Sequence, residues 1–225
     1  MDDVPATTPA RSRPGPQDAQ PAPGESLSAW LQRLGEPLLQ EQLRHPTVLG
    51  IARGDLEPTV FRGWIEQDYL FLVDYVRVFA RLAWQAPAEH VGDLVDMAHS
   101  TWHDELSLHR DLAEPFGARM DTAVKGPACA AYTSFGLGAA ADYGRGLAGM
   151  LPCMWGYSEL GRRLAEDPPA DPRYRRWVET YADPEFAAVA RRCAQMLDEA
   201  GPDPAVARDA FLAGMRHEVA FWDAA

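Results

Sequence analysis

Residues 58–86 read PTVFRGWIEQDYLFLVDYVRVFARLAWQA. Within them Phe61, Trp64, Ile65, Leu72, Tyr75, Val76 and Phe79 recur at three- and four-residue steps, which puts them along one face of a long amphipathic helix. The next stretch, 88–116, repeats the pattern through Val91, Leu94, Val95, Ala98, Trp102 and Leu106, and reads as a second long helix. A third block, 128–150, is rich in alanine and glycine, which lets helices pack closely. Leu151-Pro152 then reads as the restart of a helix running to about Ala165, because proline suits a first helical turn and breaks an interior one. Asp171-Pro172, Asp183-Pro184 and Asp203-Pro204 each read as an N-cap with proline at the first helical position, the last two opening helices at about 184–200 and 204–223. No alternating run with hairpin chemistry and no fixed-period repeat stands out. The expected fold is all-α, a single-domain bundle of six to eight helices.

The chain has 225 residues, of which 33 are acidic and 21 basic, giving a formal charge of −12. That balance disfavours sequence-independent nucleic-acid binding and a polybasic membrane patch, both of which rest on Lys and Arg. With 47% apolar residues the chain buries a core without staples. Three widely spaced cysteines, Cys129, Cys153 and Cys193, form no disulfide framework, which fits a reducing compartment. Without an apolar run of transmembrane length or a basic-then-apolar leader, a soluble cytoplasmic protein is expected. Residues 1–24 hold six prolines and little that is large and apolar, so they read as a disordered tail ahead of a domain at 25–225.

The candidate chemistry begins at Cys153. One residue after Pro152, it is expected in the first turn of a helix, where unpaired N–H groups and the dipole favour a thiolate. The structural alternative is a small buried hydrophobe, which is also the simplest reading of Cys193 on the stripe Phe186-Val189-Ala190-Cys193-Leu197. Tyr157 lies one turn on from Cys153 and shares its face. Asp68 and Glu218 are carboxylates on apolar helix faces, beside Phe71 and beside Phe221-Trp222 respectively; such a group needs a partner or a task. Tyr132 and Tyr181 add phenols from two further helices. For each residue alone, a salt bridge or an interhelical hydrogen bond is the competing explanation.

Taken together, residues 65–80 (IEQDYLFLVDYVRVFA), 131–135 (AYTSF), 150–165 (MLPCMWGYSELGRRLA), 177–183 (WVETYAD) and 216–222 (RHEVAFW) resemble the TenA/thiaminase II family, in order, over roughly 27–225. The resemblance implies a haem-oxygenase-like all-helical fold without haem, a homotetramer, and an interhelical pocket for an aminopyrimidine. It implies that Cys153 is the nucleophile, placing the chain in the cysteine-bearing branch. It implies that Asp68 holds the ring's amino group and a ring nitrogen, and that Glu218 moves protons with help from Tyr157. Tyr132 and Tyr181 match pocket tyrosines. Phe71 stands where the family commonly has tyrosine, so the stacking surface is kept and a hydroxyl lost. The chemistry implied is thiaminase II hydrolysis releasing a hydroxymethylpyrimidine in thiamine salvage, with no metal or organic cofactor.

Two alternatives remain at this point. The same architecture houses di-iron oxidases, and Asp96, His99, His103, Glu105 and His109 have ligand-capable spacings, although only one carboxylate-x-x-His pair occurs where two are needed. Capping or pairing at a helix seam is the plainer account of these residues. A non-catalytic pyrimidine-binding homologue is the other alternative, towards which Phe71 leans and against which the retained Cys153, Asp68 and Glu218 lean.

Overall fold

The structure, a computed structural model, describes residues 20–225. Its helices are α1 (Leu27–Leu43), α2 (Pro46–Arg53), α3 (Pro58–Gln85), α4 (Ala88–Ser100), α5 (Leu106–Ala113), α6 (Pro127–Ala139), α7 (Tyr143–Leu164), α8 (Pro172–Ala182), α9 (Pro184–Ala200) and α10 (Pro204–Asp223). The described residues contain no strand. The expected tail at 1–24 lies outside the described residues up to position 19. Its last residues form a turn in which the Ala22 amide donates to the Glu25 carboxylate (2.9 Å) and the Glu25 amide donates to the Ala22 carbonyl (2.9 Å).

Helix α7 sits at the centre, packed on α8, α9 and α10, while α3 packs on α4, α5 and α6. The three Asp-Pro starts form as expected: Asp171, Asp183 and Asp203 accept from the amides of Arg173, Glu185 and Ala205. These bonds satisfy amides that the first helical turn leaves without intrahelical acceptors.

Three expectations are corrected. The number of helical segments exceeds eight, because the 88–116 pattern divides and the chain before residue 58 adds two helices, α1 and the short α2. The stretch 88–116 is not one helix: α4 gives way to a π-helical turn at Thr101–Glu105, then α5, then a 3₁₀ turn at Glu114–Phe116. The buried positions run 90, 94, 97, 101 and then jump five to 106 and 109, a step that a π turn supplies. Val95, beside the buried face of α4, and Trp102, inside the turn, were read as core and are exposed.

The third correction concerns Cys153. Pro152 does not restart a helix; α7 runs through it. Proline there forfeits one backbone hydrogen bond, at a cost of about 3 kcal/mol. Burial without a break from Gly146 to Met154 outweighs that cost. Gly214 of α10 has no side chain to collide with Pro152, so the two helices approach closely at this point. Cys153 is thus mid-helix, and its thiol has no free N–H groups beneath it.

A second close approach sets the position of α8. A Cβ at Gly161 would overlap the backbone of Tyr181 and Ala182. Gly161→Ala is expected to destabilise the fold by about 3 kcal/mol, read as a lowered midpoint in urea unfolding. An unchanged midpoint would show that α8 moves away freely.

Candidate active site

The bundle brings all seven expected site residues into one buried cluster. Asp68 and Phe71 come from α3, Tyr132 from α6, Cys153 and Tyr157 from α7, Tyr181 from α8 and Glu218 from α10. Their exposures lie between 2% for Glu218 and 8% for Cys153. The Phe71 ring packs on Tyr132 at 4.7 Å between centroids, and Tyr157 on Tyr181 at 4.9 Å. The Tyr132 hydroxyl donates to Glu218 Oε1 at 2.5 Å. Below, Trp64 stacks on Trp222 at 5.0 Å and forms an apolar floor with Trp177.

Three further residues enter the cluster. His109 is fully buried: its Nδ1 lies 2.9 Å from the Glu105 carbonyl and its Nε2 lies 2.7 Å from Asp68 Oδ2 and 3.4 Å from the Tyr181 hydroxyl. Glu105, half-buried, lies at the border between this cluster and an open groove of about 800 Å³ that Phe79, Thr101, Met154 and Phe186 also line. The Tyr75 hydroxyl donates to the Met150 carbonyl (2.9 Å) and also lies beside Cys153. Read from sequence, His109 and Glu105 belonged to a helix seam; the π turn at 101–105 is what points them inwards. His99 and His103 stay outside, their rings tilted against each other at 4.4 Å, and Asp96 is exposed as well. The di-iron ligand set is thereby split between two sides of the segment. Among the described residues no group of three or more His, Cys, Asp or Glu side chains is placed to hold a metal ion.

Burial dominates the electrostatics. It pushes the Cys153 thiol well above its ordinary range, and the carboxylates of Glu218, Asp68 and Glu105 push it further. The expected dipole-stabilised thiolate is therefore corrected: the resting group is a thiol. Burial also raises Glu218 to about 8, against the opposing hydrogen bond from Tyr132, with Asp68 raising it further. Tyr132, Tyr157 and Tyr181 are all raised by burial and stay neutral donors.

The sequence of residues 34–225 matches the TENA/THI-4/PQQC family. The chain belongs to that family. A protein of Halalkalibacterium halodurans named aminopyrimidine aminohydrolase is 33% identical over 216 residues, 89% of this chain and 95% of that protein. A Helicobacter pylori protein of the same name is 28% identical over 88% of this chain and 98% of its own length. Among solved structures, a TenA homologue from P. horikoshii OT3 superposes with a TM-score of 0.84 at 23% identity, covering 88% of this chain and 97% of that one. The fold is therefore the haem-oxygenase-like all-α fold of TenA homologues.

In this TENA/THI-4/PQQC member the proton on Glu218 ties stability to pH. Between about 4.5 and about 8 the folded protein keeps a proton that the unfolded chain has released. The resulting stabilisation is complete below about 4.5 and is lost as pH rises towards 8, at about 1.4 kcal/mol per pH unit. Glu218→Gln is expected to remove this slope, measured by urea unfolding from pH 5 to 8. An identical slope in both proteins would mean that Glu218 is ionised in the folded state. No helix among the described residues is long and apolar enough to cross a membrane.

Proposed function

We propose that residues 25–225 form an aminopyrimidine aminohydrolase of the thiaminase II type, working in thiamine salvage. The observation that carries this reading is the joining of Cys153, Asp68 and Glu218 in one closed, tyrosine-lined cluster, in a chain similar over nearly its whole length to proteins named for that activity. The aminopyrimidine lies against Phe71 and Tyr132, its amino group and one ring nitrogen on Asp68, with Tyr181 at its far side.

In this scheme the substrate carries its leaving group on an exocyclic methylene, where direct displacement by water is slow. The Cys153 thiol passes its proton to ionised Glu218 as sulfur bonds to a ring carbon and the ring loses aromaticity. The ring then expels the leaving amine, which takes the proton from Glu218, and the methylene becomes exocyclic and electrophilic. Water adds there and Glu218 accepts its proton; the cysteine then departs, taking that proton back from Glu218, which restores the aromatic ring, the thiol and the ionised carboxylate and yields the hydroxymethyl product. Covalent catalysis of this kind divides one hard step into easier ones. A carboxyl group titrating near 8 suits both directions of proton traffic at neutral pH. Tyr157, one turn from Cys153, supplies a neutral hydroxyl beside the reacting groups. The groove reaching Glu105 and Met154 admits the substrate and releases the amine. A homotetramer, on the strength of the resemblance, in the cytoplasm, which the three free cysteines fit, completes the proposal.

The test is a mass-spectrometric turnover assay with 4-amino-5-aminomethyl-2-methylpyrimidine and with thiamine. Formation of hydroxymethylpyrimidine is the expected result. No product from either compound would remove the activity and return weight to a binding protein.

A further inference from the structure

Among the described residues His109 is the one fully buried cation-capable group in the cluster, and its geometry fixes where its protons can be. Nδ1 faces the Glu105 carbonyl at 2.9 Å, and a carbonyl only accepts, so Nδ1 carries a hydrogen. Nε2 and Asp68 Oδ2 are 2.7 Å apart, a separation that needs one proton between them. The pair therefore holds a single transferable proton, as imidazolium and carboxylate. Burial alone would expel that charge from His109, but the Asp68 carboxylate beside it and Glu105 more than offset this, and His109 is held above its ordinary value. The titratable groups facing it are Asp68 from α3, Tyr181 from α8 and Glu105 from its own segment; Tyr75, Tyr132, Cys153, Tyr157 and Glu218 are the other titratable members of the cluster.

An aminopyrimidine edge poses a matching problem. Its amino group donates, while the adjacent ring nitrogen accepts. A carboxylate only accepts, so Asp68 can hold both atoms only if a proton is added to the ring. We propose that His109 is the source of that proton: on binding, the proton between His109 Nε2 and Asp68 Oδ2 passes to the ring nitrogen. The two N–H groups of the resulting amidinium edge then bond to the two Asp68 oxygens, a bidentate charge-assisted pair. His109 is left neutral, with Nδ1–H still on the Glu105 carbonyl and Nε2 accepting from the Tyr181 hydroxyl that already lies 3.4 Å away. The count closes without a proton from solvent: one N–H bond breaks on His109 and one forms on the ring. A cationic ring draws in the electron pair that the sulfur brings, so His109, acting through Asp68, is a positioning residue that primes the ring for attack. This inference rests on the proposed aminopyrimidine reading.

The test is spectroscopic and needs no turnover. The product 4-amino-5-hydroxymethyl-2-methylpyrimidine changes its ultraviolet absorption when its ring is protonated. Bound to the native protein, it is expected to keep the protonated spectrum to about two pH units above the transition of the free compound, which corresponds to about 100-fold tighter binding of the protonated form. His109→Gln, which keeps a donor for Asp68 but has no proton to give, is expected to bind the neutral ring at pH 8 and to lose about 100-fold in kcat/KM, with the loss growing as pH rises. A neutral ring in the native complex at pH 8 would overturn the inference and leave the hydrolase reading standing. So would a His109→Gln complex with the native spectrum. If the native protein did not bind the compound at all, the hydrolase reading would fall and this inference with it. Should His109→Gln not fold, the native titration decides alone.

Discussion

Cys153→Ser is expected to lower turnover about 10⁴-fold or more, with product affinity kept within about threefold. The two side chains are nearly the same size, and Cys153 is 8% exposed in a helix held by its neighbours, so the cluster keeps its shape. Reactivity is what changes. In this acidic, dry site the hydroxyl is far harder to deprotonate than the thiol, and the covalent route closes. Mass-spectrometric turnover and ultraviolet titration with the product separate rate from affinity. Residual activity within tenfold of native would assign the attack to water and reduce Cys153 to packing.

The second large effect is expected at Glu218. Its replacement by glutamine preserves an oxygen for the Tyr132 hydroxyl, now 2.5 Å from Oε1, but not the ability to trade a proton. A loss in kcat of about 10²–10⁴ with little change in KM is the expected outcome. The pH profile adds a sharper criterion. Attack needs Glu218 ionised to take the Cys153 proton, and that form grows as pH rises towards about 8. The native rate should rise up to this pH, while the residual rate of the variant should lack that limb. A variant with the native kcat would show that the amine takes its proton elsewhere.

Much of the fold is legible in the chain because its helices announce themselves locally. The face through Phe61, Trp64, Leu72 and Phe79 and the three Asp-Pro caps needed no tertiary information. Two features did. Proline at 152 carries a local signal to stop a helix, and only the continuous burial of α7 against its neighbours overrides it. The π turn leaves no periodic trace that distinguishes it from a slightly blurred amphipathic helix, and the direction of every side chain beyond it depends on that turn.

The candidate site divides along the same line. Carboxylates at 68 and 218 on apolar faces were conspicuous, because an isolated charge among aromatic residues asks for an explanation. His109 was not, since a histidine among polar residues on a half-exposed helix is ordinary. Its role depends on Asp68, 41 positions earlier in the chain, and no local pattern records that contact.

The turn at Thr101–Glu105 also makes chain length a chemical variable. Straightening the turn into regular helix without losing a residue would rotate α5 by about 100° relative to α4, and His109 would swing away from Asp68. Removing one residue there as well would shorten the step from Thr101 to Leu106 to four, the spacing of regular helix, and leave His109 on its present face. Among family members of the same shape, a single-residue gap at this point is therefore compatible with the His109–Asp68 pair, whereas a full-length segment without the turn is not. Two sequences could share Cys153, Asp68 and Glu218 and still differ in whether the ring can be charged.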